Sequence, residues 1–309
     1  MAIFYNTEGL PEFRNAVITI GTFDGVHMGH KTILKEVVQH AAEVNGESIL
    51  ITFEPHPRKL IHPDQPLKLI TPLKEKLELV TAEGIEHIVV QPFTRDFSNQ
   101  TADQYIEDFL VKKFSPESIV IGYDHHFGYD RTGNIDLLKK YAGKFGYRVF
   151  EISAKLIDQA TVSSTKVRNA LTNGLVEEAE HMLGRYYSLS GTVIGGAKLG
   201  RTIGYPTANI LPADPEQLIP ANGVYAIRAR WKDELFNGMM NIGHRPTVDK
   251  DIKLHIEAHL FDFNRDIYNE EMDIIFVARL RDEHKFPSID ALKEQLGKDE
   301  IAAKQVLKH

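Results

Sequence analysis

The 309-residue chain contains no cysteine. That single absence excludes disulfide frameworks, thiolate zinc sites, iron–sulfur clusters and cysteine nucleophiles, and it suits a reducing cytosol. No apolar run approaches the roughly 18 residues of a membrane span, so no membrane partner is expected. The first thirteen residues hold Glu8, Glu12 and Pro11 but no basic flank followed by an apolar stretch, so no signal peptide is visible. Positive charge is not in excess either: 36 Lys and Arg stand against 43 Asp and Glu, a net charge of −7. A sequence-independent nucleic-acid binder needs a basic face to displace counterions, so that class is set aside. A local basic site for a phosphorylated small molecule is still allowed. Internal repeats and low-complexity stretches are also missing. At about 150 residues per domain, the length points to two domains. The expectation is a cytoplasmic two-domain protein, a monomer or weak homo-oligomer.

Short β-branched runs at 16–20, 49–53, 87–90, 118–121 and 147–152 read as buried strands. Between them, 31–44, 72–82, 101–114 and 134–145 carry the 3.6-residue apolar period of helices. Thr101 with Gln104 forms a capping box, and Thr71 reads as a cap ahead of Pro72 at the first helical position. Strand–helix alternation of this kind predicts a parallel sheet with helices on both faces, its ligand beyond the carboxyl ends of the strands. Two shorter helices, 164–172 and 176–183, end at Gly184 and Arg185. Beyond them the pattern changes to strand-like runs at 188–194, 223–229, 239–242, 254–260 and 272–280. That spacing predicts a compact, mostly antiparallel barrel or sandwich. Closing helices are expected at 288–296 and 299–307. The domain boundary is placed near Arg185, giving 1–185 and 186–309.

Directly after the first strand, residues 21–30 read G-T-F-D-G-V-H-M-G-H, and a helical pattern follows. Glycines at a strand-to-helix junction let the backbone approach a ligand. The helix N-terminus adds free N–H groups and a positive dipole end, which together favour phosphate. His27 and His30, three residues apart, share one side of that opening. A glycine-rich turn with one capping and one packed histidine is the bland alternative. Two histidines alone make no zinc site, since the third ligand would have to come from elsewhere.

In the second half, residues 191–210 read G-T-V-I-G-G-A-K-L-G-R-T-I-G-Y-P-T-A-N-I. Gly195, Gly196, Gly200 and Gly204 make a loop able to cover a polyphosphate. Thr207 and Asn209, two apart, face one side on a strand and offer the neutral oxygens that suit Mg²⁺ bound to nucleotide phosphates. In H-I-E-A-H-L at 255–260, Ile256, Ala258 and Leu260 alternate with His255, Glu257 and His259, leaving Glu257 on the polar face. A solvated strand glutamate would look the same.

These stretches carry a family resemblance. Residues 21–30 are similar to the H-x-G-H motif of nucleotidyltransferases and, in their longer form, to the adenylyltransferase half of bifunctional riboflavin kinase/FAD synthetases. The string T-F-E-P-H-P-R at 52–58, G-Y-D-H-H-F-G at 122–128 with Arg131 and Gly133, and V-S-S-T-K-V-R at 162–168 follow in that family's order. His125 stands where the family more often has an aromatic residue. Residues 191–210 with the P-T-A-N motif, N-I-G-H-R-P-T at 241–247, 255–260, and R-D-E-H-K-F at 281–286 resemble its riboflavin kinase half.

The resemblance spans essentially the whole chain and implies two activities: phosphorylation of riboflavin by ATP to FMN, and adenylylation of FMN by ATP to FAD. It implies a Rossmann-like nucleotidyltransferase domain followed by a riboflavin kinase barrel. Catalytic roles fall on His27, His30, Arg168 and Glu257. Nucleotide contacts fall on Gly21, Phe23, Asp24, Gly25, Gly29, Ser164, Thr165, Gly195, Lys198, Gly200 and Gly204. Flavin contacts fall on His56, Asp124, Phe127, Arg131 and Arg281, and Mg²⁺ delivered with ATP falls on Thr207 and Asn209. A monofunctional enzyme with one degenerate half, and a non-enzymatic flavin-binding regulator, are the alternatives.

Overall fold

The structure, a computed structural model, describes residues 1–123, 125–129, 131–153, 162–195, 200, 203–246 and 252–308. The chain packs as two compact units, Met1–Ser164 and Thr165–His309.

In the first unit, strands β1 (Ala2–Phe4), β2 (Val17–Ile20), β3 (Ser48–Glu54), β4 (His87–Pro92), β5 (Ser118–Gly122) and β6 (Arg148–Ile152) form one sheet. Their order is β1-β4-β3-β2-β5-β6, and every neighbouring pair is parallel. The helices are α1 (Met28–Glu43), α2 (Pro57–Ile61), α3 (Leu73–Ala82), α4 (Arg95–Ser98), α5 (Ala102–Gln104), α6 (Lys112–Phe114) and α7 (Ile135–Phe145). Strand alternation divides the core. Val17, Leu50, Ile88 and Val120 face Leu34, Val37 and Ala41 of α1 and Leu77 and Val80 of α3. Ile18, Ile20, Ile49 and Ile51 face Ile106, Phe109, Phe114 and Leu138 on the opposite side. Both faces are therefore covered, as a parallel sheet requires. β3 and β5 flank β2 on opposite sides, so the strand order reverses there. The crevice beyond the carboxyl ends of β2 and β5 is the position where such sheets bind ligands.

Two local expectations are corrected. Pro72, not Thr71, is the N-cap residue of α3, and no side chain caps that helix. Thr71 is instead committed through its backbone, whose N–H donates 3.1 Å to the Asp24 carboxylate. The capping box of Thr101 and Gln104 is present, but the helix it starts widens to π geometry over Tyr105–Val111 before α6. That stretch buries Tyr105, Ile106, Phe109 and Leu110, four residues of seven, a wider apolar arc than an α-helical stripe.

The second unit is a closed barrel of β7 (Tyr187–Ile194), β8 (Ala208–Pro212), β9 (Gly223–Trp231), β10 (Glu234–Pro246), β11 (Ile252–Leu260) and β12 (Glu271–Arg281). Its order is β10-β11-β8-β7-β12-β9, with every pair antiparallel. Helices α8 (Ser164–Thr172) and α9 (Val176–Leu183) precede it. They pack with the barrel: Ala221 N–H donates 3.1 Å to the Leu171 carbonyl. The compositional change near Arg185 comes after them. β8 is missing from the apolar runs, because in Ala208–Pro212 only Ile210 is buried. The two expected closing helices are one continuous helix, α10 (Ile289–Val306), capped by the Ser288 hydroxyl, which accepts from Ala291 N–H at 3.1 Å. Gly297 lies inside it without breaking it. An isolated helix would lose about 1 kcal/mol there relative to alanine, but burial of Ala303 and Leu307 against the barrel core holds the helix in place.

Candidate active sites

The loop after β2 is bent by three residues in the left-handed region: Phe23 (φ 48°), Gly25 (φ 90°) and Val26 (φ 38°). Such conformations in non-glycine residues persist only where their surroundings over-determine them, and they cluster at binding sites. Here the surroundings are visible. The buried Asp24 carboxylate accepts backbone N–H groups of Ile70 (3.0 Å) and Thr71 (3.1 Å). The Asp24 carbonyl accepts the Ser164 hydroxyl at 2.9 Å. Lys76, 5 % exposed, donates from Nζ to the Thr22 carbonyl and to Thr52 Oγ1, both at 3.2 Å. Burial pulls the Lys76 ammonium pKa down, against the attraction of Glu54 and Asp24.

The bend delivers two imidazoles to the N-terminus of α1. His27 is the N-cap, its Nδ1 accepting the His30 N–H at 3.3 Å. The His27 and His30 rings stack with centroids 3.7 Å apart and planes 14° off parallel. Phe23 packs against His30 at 4.8 Å. Burial first, then His27 and the Lys76 charge, hold the His30 pKa well below its ordinary value of 6.5. His30 is thus neutral at physiological pH, and its buried Nδ1 has no hydrogen-bond partner among the described residues. A stacked imidazole pair beside the N-terminal N–H groups and positive dipole end of a 16-residue helix can donate hydrogen bonds to an anion such as phosphate. Gly29 is buried between the two histidines on the first turn. A Cβ on Gly21 would meet the Phe23 ring at 2.9 Å, so the turn is tight from its first residue.

The other contacts expected for adenylylation are placed less uniformly. His56 is buried and caps α2, its Nδ1 accepting Arg58 N–H at 3.2 Å. Phe127 turns its ring into the core, 5.0 Å from Tyr105, and pairs by backbone with Gly133. Arg131 is exposed, with φ 54°. Ser164 closes on the motif loop as described above. Thr165 is exposed and Arg168 half-buried, both on α8. Asp124 and Lys198 lie outside the described residues.

The barrel holds a cavity of about 490 Å³ whose lining includes Gly200, Thr207, Asn209, Glu257 and Arg281. Register brings the key pair together. Glu257 on β11 lies directly opposite Asn209 on β8 and, on its other side, opposite Asn241 on β10. Direct cross-strand partners have Cβ atoms roughly 4.5–5.5 Å apart. A carboxylate therefore sits between two carboxamides, with Thr207 two residues before Asn209. Ile256, Ala258 and Leu260 are buried while Glu257 is half-buried, as the alternation predicts. His259 Nδ1 donates to the Pro206 carbonyl at 2.7 Å, which ties β11 to the strand entry carrying Thr207. Gly200 is required by a close approach: a Cβ there would lie 2.1 Å from the Tyr205 carbonyl oxygen. Gly195 and Gly204 are described but do not line the cavity; Gly204 makes a turn at φ 89°.

Sequence reasoning missed Asn241, Tyr205 and Glu283 as lining residues. For Asn241 a signal existed, since period-2 alternation places it opposite buried Met240 and Ile242 neighbours; its pairing with Glu257 required the register. Among the described residues no cluster of three or more His, Asp or Glu side chains is placed to hold a metal.

Comparison with known proteins agrees with the two halves. A FAD synthetase family model matches residues 10–166 and a riboflavin kinase family model matches 183–307. The bifunctional riboflavin kinase/FMN adenylyltransferase of Haemophilus influenzae is 40% identical over 94% of each chain. That of Escherichia coli is 35% identical over 97% of this chain and 95% of its own. The crystal structure of a macrolide-efflux protein from Streptococcus pneumoniae has a TM-score of 0.88 at 30% identity and covers 98% of each chain. That protein's name speaks of efflux; here, among the described residues, no helix is long and apolar enough to cross a membrane. With both halves matched and the bifunctional relatives aligned over nearly their full length, the chain belongs to the bifunctional riboflavin kinase/FMN adenylyltransferase family, the ATP-dependent enzymes that make FMN and then FAD.

Proposed function

We propose that the two reactions divide between the two units as their residues suggest, with Glu257 as the base of the kinase step and the His27–His30 pair as the phosphate donors of the adenylylation step. In the barrel, the ribityl 5′-hydroxyl of riboflavin attacks the γ-phosphorus of ATP. The β–γ bridging P–O bond breaks, ADP leaves, and the hydroxyl proton passes to the Glu257 carboxylate. Phosphoryl transfer rests mainly on positioning and charge stabilisation. Thr207 and Asn209 offer hard neutral oxygens next to that carboxylate, a donor set that fits Mg²⁺ held partly by substrate phosphates. Mg²⁺ bound there would neutralise charge on the transferring group.

In the sheet unit, a phosphate oxygen of FMN attacks the α-phosphorus of a second ATP. The α–β bridging bond breaks and pyrophosphate leaves. His27, His30 and the α1 N-terminus donate hydrogen bonds as charge develops, a role worth about 10²–10³ in rate per donor. Ser164, whose hydroxyl reaches the Asp24 carbonyl, would add a contact to the nucleotide.

The observation that carries the reading is the cross-strand placement of Glu257 against Asn209 in one cavity with Thr207. Its test is Glu257→Gln, assayed with riboflavin and separately with FMN as acceptor. Glutamine keeps size and an acceptor oxygen but takes no proton at neutral pH, so FMN formation should fall by about 10²–10⁴. FAD formation from supplied FMN should be unchanged. A variant making FMN at the parental rate would remove Glu257 from the mechanism and direct the search to His255, His259 and Asp262.

A further inference from the structure

Arg281 ends β12 at the wall of the barrel cavity, and its orientation is fixed from outside the motif that contains it. Two register shifts interrupt the β12–β9 pairing, between Phe276 and Ala278 and between Arg279 and Arg281. In a regular strand Arg279 and Arg281 would face the same way. Bulges re-aim side chains, and here the two part. Arg279 turns to the Asn222 carbonyl (2.6 Å) and Asp282 (3.0 Å). Arg281 reaches α10, where Nε donates to Asp299 Oδ1 at 2.8 Å and Nη2 to Asp299 Oδ2 at 2.7 Å.

The Asp299 carboxylate is 3 % exposed. Gln295 Nε2 donates to Oδ1 at 2.9 Å from one turn earlier on α10 and holds the carboxylate in place. Arg281 Nη1 donates to the Asp282 carbonyl at 2.8 Å. A guanidinium has five N–H donors in a rigid plane. Three are used in these bonds, which leaves one on each Nη for a ligand, while the plane packs over Phe286, 5.6 Å from its centroid. A link between α10 and the barrel needs no charge: Ala226, Met239, Phe261, Val277, Ala303 and Leu307 already join the two. A buried ion pair is often no more stabilising than apolar packing of the same volume.

We propose that Asp299 is a positioning residue for riboflavin phosphorylation: it fixes the Arg281 fork so that the two remaining N–H donors meet the flavin in the cavity. The proposal rests on the reading of Arg281 as a flavin contact. It assigns α10, which lies outside every recognisable motif, a part in substrate affinity.

The test compares Asp299→Asn, Asp299→Glu, Gln295→Leu and Arg281→Lys in the full chain, measuring KM and kcat for riboflavin alongside FAD formation from supplied FMN and a thermal melt. Asparagine keeps the shape but loses the charge-assisted bidentate bond. Asp299→Asn should raise the riboflavin KM about tenfold or more with kcat changed less than about threefold, and FAD formation from FMN should be unaffected. Asp299→Glu should recover part of the affinity, and Gln295→Leu should shift KM the same way by a smaller factor. Should Asp299→Asn fail to fold, Gln295→Leu decides, and an unchanged KM there overturns the proposal. A lowered melting temperature with unchanged KM in Asp299→Asn also overturns it, since a mere strut would behave so. If Arg281→Lys raises KM while Asp299→Asn does not, the flavin contact stands and the positioning role falls. If neither raises it, the reading of Arg281 itself has failed.

Discussion

On the proposed division the two units handle phosphorus chemistry with different side chains, and the attacking group explains the difference. In the barrel the nucleophile is a hydroxyl, which must lose a proton, and the carboxylate proposed to receive it stands between two carboxamides. In the sheet unit the nucleophile is already an anionic phosphate and needs no base. What lines that loop is a stacked imidazole pair at a helix N-terminus. The one carboxylate in the motif, Asp24, is spent on backbone N–H groups of Ile70 and Thr71. Proton removal calls for an acceptor, whereas charge dispersal calls for donors, and each unit supplies the kind its reaction lacks.

The sharpest way to break this comparison is the Glu257→Gln assay, with its expected loss of about 10²–10⁴ confined to FMN formation. Its mirror image is His30→Ala, which should cut FAD formation from FMN by about 10²–10³ while leaving riboflavin phosphorylation intact. If either variant, well folded, lost both activities together, the division between units would be wrong. Next in size is Asp24→Ala. It strands two N–H donors in a buried site, at roughly 1–3 kcal/mol for each unsatisfied group. The first unit should melt earlier and lose FAD formation, with FMN formation kept; calorimetry together with both assays would show it.

The smallest expected effect is on pH. Unfolded His30 takes up a proton near 6.5, whereas folded His30 does so only well below that. Between those two values the unfolded state binds more protons, so the stability of the first unit falls as pH drops through that window. In His30→Gln this slope should flatten, read from melting temperatures between about pH 7.5 and 5.5.

Legibility followed the range of the interaction. The parallel sheet and the barrel could be read from apolar runs and their spacing, because most strands announce themselves over five or so residues; three-residue β1 and half-buried β8 did not. The placement of Glu257 on a polar face followed from the same period. Its pairing with Asn209 and Asn241 did not, because register joins residues 48 and 16 positions apart. Thr71 misled for a related reason: its cap role is locally reasonable, but Asp24, 47 residues earlier, claims its backbone. The closing helices expected at 288–296 and 299–307 are one, because helix propensity around Gly297 ignores the barrel against which α10 is laid. Asp299 was invisible altogether, since nothing in its neighbourhood hints that a bulged strand end will reach it.

The contacts around Asp24 also order events in time. This one residue joins stretches 46 and 140 positions further along, through Ile70 and Ser164. On a ribosome emitting the chain from its N-terminus, the histidine pair emerges early but waits for its frame. The loop cannot be fastened until residue 164 has cleared the exit tunnel, and closing so long a span is slow compared with forming a helix or a hairpin. The sheet unit can then close while most of the barrel strands are still to be synthesised, so on the proposed division the half that acts second on the flavin is the half that is finished first.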